Sequence, residues 1–281
     1  IPEAKENKEP SYVIPVFSEE VPIDGPTGKY RLLLTFEQGV AAAGGETEFY
    51  VTDPADMPAV NTGVAVFGND PELLKWLNGH GIKAQPYKAG KSNARQVVLV
   101  SNAAGGEERA EAWRDLAQRI AEGSAAVFLS LDVLKKGDNR LGWLPLANKG
   151  AIGMTCEFNF PQVYLKDEWA KKHPLFEGLP CGGLMDYTFY REMIPDDRYW
   201  GQDIPAESVA GAIRTSFAGQ CHSELMLSVY NLGSGRFILN ALRVRQELGQ
   251  DPTAERLLRN MLRYAAKDLD KPMVPIQGGS N

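Results

Sequence analysis

The densest chemical cluster in the sequence is Cys221-His222-Ser223-Glu224. A thiol becomes a nucleophile when a base lies beside it, and a histidine serves as that base when a carboxylate orients it. His222 and Glu224 stand two apart, so on a strand they share a face and can act as the base and orienter of a triad. Cys221 would point the other way from His222, leaving the pair without its nucleophile. The alternative is a strand entry with one buried cysteine and a polar edge. Ser130 is a further nucleophile candidate. It follows the apolar run Ala125–Leu129, where α/β hydrolases hold their nucleophile on a sharp turn. Such a turn needs small neighbours, and Phe128-Leu129-Ser130-Leu131 is bulky, which suits a capping or turn serine better.

The stretch Met185–Trp200 is rich in aromatic and charged groups. Its candidate carbohydrate contacts are Asp186, Tyr187, Tyr190, Arg191 and Trp200. Aromatic faces beside carboxylates suit sugar rings, which are apolar on one face and hydroxylated at the rim. Asp196 and Asp197 add paired carboxylates; the alternative is loop packing against a sheet. Neither His80 nor His173 has metal-ligand spacing with another histidine or with Cys156, Cys181 or Cys221, so no metal is expected. Gly68-Asn69-Asp70-Pro71 is not a dinucleotide fingerprint, and no cofactor is expected. Ala103-Ala104-Gly105-Gly106 could hold an anion on its amides, although a tight strand-to-helix turn explains it as well.

The elements that would position these residues are legible. Gly63–Gly68, Gln96–Ser101 and Ala125–Leu129 are short, nearly continuous apolar runs, as suits strands buried on both faces of a parallel sheet. Between them, Asp70-Pro71 opens a helix to about Asn78, and Glu107–Glu122 carries Ala110, Trp113, Leu116 and Ile120 on one face. This alternation predicts a doubly wound, mostly parallel, flavodoxin-like α/β sheet. Residues 131–207 read as long loops with short elements. Regular structure returns at Ser208–Thr215, and Leu225–Tyr230 and Arg236–Leu239 flank a turn at Asn231–Gly235. The last helix has Asp251 as cap and Pro252 as first residue. Ala254, Leu257, Leu258, Met261, Leu262 and Ala265 form its buried stripe, and Arg256, Arg259, Arg263 and Lys267 its solvated face.

Upstream, Tyr30, Leu32, Leu34 and Phe36 alternate, as do Thr47, Phe49 and Val51, and Tyr12–Phe17 reads as a third strand. Thr52–Pro58 is a linker by composition. The expected organisation is a β segment at 1–57, an α/β domain at 58–270 and a tail at 271–281. The Ile1-Pro2-Glu3 start reads as that of a fragment or processed product. Acidic residues outnumber basic ones by 36 to 30, which argues against a nucleic-acid partner. No apolar run approaches the roughly 18 residues of a membrane-spanning helix, so no membrane partner is expected.

Three segments, His173–Pro180, Gly233–Asn240 and the helix containing Ala254–Leu262, together resemble the C-terminal part of bacterial proteins of glycoside hydrolase family 2. In that family this part is similar to a class I glutamine-amidotransferase-like domain of flavodoxin-like fold. Residues 28–52 resemble the last strands of an immunoglobulin-like sandwich preceding it. The resemblance implies an accessory region of a carbohydrate-active enzyme, periplasmic or secreted rather than cytoplasmic. It would be non-catalytic by itself and would serve domain packing, oligomerisation or sugar contact. Its partners would be a catalytic domain of the same or a neighbouring polypeptide, a carbohydrate, or a second copy. Class I amidotransferases carry a cysteine on the elbow where this sequence has Ser130 and Leu131, with a later His-x-Glu pair matched by His222-Ser223-Glu224. The alternatives are a stand-alone amidotransferase-like hydrolase using His222 and Glu224, or a carbohydrate-binding module.

Overall fold

A computed structural model describes residues 18–35, 45–90, 94–102, 108–154, 167–215 and 221–275. The expected strand at Tyr12–Phe17, the Ala103–Gly106 turn and Cys156 lie outside these residues. The chain divides into two compact units, Ile1–Asp53 and Pro54–Asn281.

In the first unit, β1 (Gly28–Leu34) and β2 (Gly45–Val51) pair antiparallel. The expected alternation gives the hairpin two unlike faces. Lys29–Glu48 and Arg31–Glu46 ion pairs, at 2.6 and 3.5 Å, occupy one face, while Tyr30 stacks on Phe49 beside Leu32 and Leu34 on the other. Among the described residues this unit supplies only these two strands, so the expected sandwich is not seen in them.

The second unit is α/β. In chain order it runs β3 (Val64–Phe67), α1 (Pro71–Gly79), β4 (Ala84–Pro86), β5 (Val97–Val100), α2 (Glu108–Ala121) and β6 (Ala125–Phe128). There follow β7 (Lys149–Met154), β8 (Glu168–Ala170), β9 (Gly183–Leu184), α3 (Tyr187–Tyr190), β10 (Asp197–Gln202), β11 (Glu207–Thr215), β12 (Cys221–Leu232), β13 (Gly235–Asn240), α4 (Val244–Glu247) and α5 (Pro252–Ala265). Strands β3 to β13 form one mixed sheet of 11 strands, with the path β4-β3-β5-β6-β13-β12-β11-β8-β9 and β10 bridging β12 to β7. Pairing is parallel from β4 to β13 and antiparallel from β13 onward. The parallel half comes from the apolar runs, and the antiparallel half is largely an insertion between β6 and β13.

Successive residues of each central strand enter different cores. Val64 and Val66 pack with α1 and α5, whereas Ala65 and Phe67 pack with Trp113, Leu116 and Ile120 of α2. With both faces covered, β3, β5 and β6 are buried at every position, which is why their sequences are continuous rather than alternating. α1 starts where the Asp70 carboxylate accepts from the Leu73 amide at 3.0 Å, and α5 where Asp251 accepts from Thr253 at 2.7 Å. Arg259 corrects the expected solvated face of α5. It is 8% exposed and donates to Glu255, to the Pro58 carbonyl and to the His80 carbonyl. The planar guanidinium spreads its donors over three nitrogens, and here each nitrogen meets its own acceptor.

The segments that carry the family resemblance meet in space. The Asn260 amide of α5 donates to the carbonyls of Leu175 and Glu177, and Arg263 pairs with Glu177 at 3.0 Å. α5 packs its stripe against Ile238 of β13 in the same core.

Candidate functional site

The C-terminal ends of β6 and β13 frame a polar cleft of about 310 Å³. Ser130, Leu131 and Asp132 line it after β6, Ala241, Arg243 and Gln246 after β13, and Pro195, Asp196 and Asp197 at the entry to β10. Such strand ends are where open α/β sheets carry ligands. Asn240 holds the two ends together. Fully buried, it donates to the carbonyls of Leu129 and Leu242, at 3.0 and 2.9 Å, and accepts from the Leu242 amide at 3.2 Å. At the neighbouring strand ends the chain closes up. A Cβ on Gly68, whose φ is +99°, would collide with the Asn102 carbonyl, so the loops after β3 and β5 touch.

Ser130 has extended backbone, φ −153° and ψ 151°, without the strain of a nucleophile elbow. Its Oγ accepts from the Asp132 amide at 3.2 Å and caps the short turn Leu131–Leu134. Around it the cleft offers three carboxylates, Asp132, Asp196 and Asp197, with Arg140 bound to Asp197 and Arg243 bound to Glu247. Carboxylate oxygens with few free cations favour a ligand rich in hydroxyl donors over an anionic one.

His222 and Glu224 both lie on β12, opposite Arg214 and Ala212 of β11, in the register that puts them on one face. The side chains of Cys221 and His222 lie outside the described residues. Glu224 is fully buried, in a charge cluster that sequence reasoning missed. Arg198 of β10 donates to Glu168 of β8 at 2.6 Å and lies 3.7 Å from Asp167. Burial raises the Asp167 carboxyl above its usual range; Arg198 opposes the rise, and the charges of Glu168 and Glu224 add to it. No local motif marks this cluster, because its members come from three strands far apart in sequence.

Four of the five candidate sugar contacts lie on α3 or its ends and the fifth on β10. Asp186 caps α3 by accepting from Thr188 at 2.9 Å. Tyr190 is fully buried, packs edge-on against Phe176 and Phe189, and donates to the Pro180 carbonyl at 2.6 Å, so neither ring face is open to a sugar. Tyr187 lies half-buried in α3, Arg191 is exposed and pairs with Glu192, and Trp200 sits on β10 opposite Ala151. It is Asp196 and Asp197 of this stretch that join Ser130 in the cleft.

A second polar cluster joins His173, Glu207 and Tyr264. His173 Nδ1 accepts from the Leu175 amide at 3.2 Å, so Nε2 carries the proton and donates to Glu207 at 2.6 Å. The other Glu207 oxygen accepts from the Tyr264 hydroxyl. Burial alone would raise Glu207, but Tyr264, His173 and the charge of Arg236 leave it lowered. Burial and the same Glu207 bond push Tyr264 up to about 12. Tyr264 lies in the last turn of α5 and Glu207 begins β11, so this network ties the sheet to the helix.

Among the described residues, no group of three His, Cys, Asp or Glu side chains is arranged to hold a metal ion, and no helix is long and apolar enough to cross a membrane. Cys181 is a half-buried free thiol.

No protein-family model matches the chain, and no curated protein matches it. A solved structure, the cytoplasmic protein STM3548 from Salmonella typhimurium, is similar at 11% identity and a TM-score of 0.39, over 84% of this chain and 95% of that one. Its cytoplasmic description runs against the periplasmic or secreted expectation, which is withdrawn.

Proposed function

We propose that the second unit is a flavodoxin-like, class I glutamine-amidotransferase-like domain serving as an accessory region of a glycoside hydrolase family 2-like enzyme. In this reading residues 28–52 are the last strands of an immunoglobulin-like sandwich. The domain contacts carbohydrate through the cleft at the ends of β6 and β13, and turnover belongs to a partner catalytic domain.

The order β4-β3-β5-β6-β13 supports the fold assignment. Numbered by chain position within the parallel half it is 2-1-3-4-5, the flavodoxin-like order. The observation that carries the functional reading is Ser130. It stands after β6 at the edge where this fold presents its nucleophile, yet its oxygen is engaged by the Asp132 amide in unstrained backbone. What remains in the cleft is three carboxylates beside Arg243 and Gln246, acceptors and donors that suit binding of hydroxyls. A hydrolase built on His222 and Glu224 finds less support, because Glu224 is buried within Coulombic reach of Asp167.

Calorimetry of the full chain against a panel of neutral mono- and oligosaccharides tests the reading. Saturable binding that weakens at least about fivefold, roughly 1 kcal/mol, in D196N or D197N is expected. Absence of binding across the panel, or affinity unchanged in both variants, would overturn it.

A further inference from the structure

The loop between β6 and β7 brings two lysines to one small turn. The Lys136 amide donates to the Asn139 carbonyl at 2.8 Å and the Asn139 amide returns a bond of 3.1 Å. The Trp143 amide reaches back to the Leu134 carbonyl at 2.9 Å, and the Leu141 amide donates to the Asn139 side chain at 2.9 Å. The turn is therefore set by its own backbone before either amine is placed.

Two contacts place the amines. The Lys136 ammonium lies 4.5 Å from the centre of the Trp143 ring, which stacks on Trp113 of the core at 5.7 Å. The Lys149 ammonium donates to the Gly142 carbonyl at 2.5 Å. A side chain on Gly142 would collide with the Lys136 Cβ, so the glycine lets the Lys136 stem lie against the residue whose carbonyl holds the Lys149 ammonium. Among the described residues neither amine has a carboxylate within salt-bridge distance, unlike Arg119, Arg140, Arg198 and Arg245. The two charges act on each other: Lys149 is lowered from its ordinary value first by burial and then by the charge of Lys136.

Holding two ammonium groups together without a counter-charge costs free energy, which an anion bridging them would return. Lysine ammonium groups are point-charge donors suited to phosphate-type oxygens, and the indole and turn backbone hold them in position beforehand. We propose that Lys136 and Lys149 form a binding site for a tetrahedral oxyanion, a phosphate or sulfate group. This site is separate from the hydroxyl-binding cleft, whose carboxylates would repel such a group.

The test is titration of the full chain with inorganic phosphate, sulfate and glucose 6-phosphate by calorimetry, in chloride at constant ionic strength. Saturable binding of all three is expected, weakened at least tenfold in K136Q and in K149Q. Binding of inorganic phosphate but not glucose 6-phosphate would mark a free-ion site; the reverse order of affinity would mark a phosphorylated ligand. Either supports the pair as the anion's seat. As a check independent of the variants, NMR of the lysine side chains should show phosphate raising the Lys149 pKa. Weak, unsaturable heats that are equal in wild type and both variants, or a Lys149 titration unmoved by phosphate, would overturn the proposal.

Discussion

Arg245 grips Asp70 through two parallel hydrogen bonds, Nε to Oδ2 and Nη2 to Oδ1, both 2.9 Å long. The pair joins α4 to the start of α1, since the same carboxylate caps that helix through Leu73. Burial tends to raise Asp70, but Arg245 and the Leu73 amide outweigh it and leave the carboxyl lowered. A lowered carboxyl stabilises the fold at neutral pH and loses that contribution as pH falls through its folded pKa. R245A should therefore cost about 1–3 kcal/mol at pH 7, discounted for the partial exposure of Arg245, and much less near pH 2. Urea unfolding at the two pH values measures this. Equal losses at both would show that the ion pair is not the source.

The Arg198 cluster predicts an opposite pH trend. Asp167 is raised, so the folded chain holds its proton more tightly than the unfolded chain does. Stability is then greatest on the acid side and declines as pH rises through the folded pKa. D167N should be neutral or stabilising at pH 7 and should flatten that decline. R198M leaves Glu168 buried without its cation and should cost about 3–5 kcal/mol. Thermal unfolding of both variants across pH checks the contrast.

Tyr264 should titrate near 12. E207Q removes its carboxylate acceptor and should bring the phenol part of the way back toward the ordinary value of about 10, the remainder being burial. NMR of ring-labelled tyrosine, assigned by Y264F, follows it. H173A should lose about 1–2 kcal/mol, because both the Leu175 amide and Glu207 lose a partner.

Tyr190 is a core residue despite its place in an aromatic, charged stretch. Y190F should cost about 1 kcal/mol for the bond to Pro180, and Y190A about 3–5 kcal/mol for the cavity, by chemical denaturation. A Y190A protein of unchanged stability would show that the ring does not support the fold.

The sequence displayed the parallel half of the sheet well, because β3, β5 and β6 are short runs buried on both faces and α1 and α5 begin with Asp-Pro caps. The insertion was harder. β8 and β9 have three and two residues, too few for a periodicity to register. The cleft was half legible. Ser130 stood out as a residue following a strand, with a capping role that its bulky neighbours suggested. Asp196 and Asp197 were visible as carboxylates, but their meeting with Ser130 depends on β10 pairing with β12 beyond the end of β13. Arg259 and Arg198 were illegible as buried groups, since what makes an arginine affordable in a core is a set of distant acceptors.

Amide hydrogen exchange with and without a saturating saccharide from the panel most directly tests whether the cleft is the working surface. Protection concentrated at residues 130–132, 195–197 and 241–246 is the expected result. Protection confined to α3, or a binding saccharide that leaves these three segments unprotected, would contradict it.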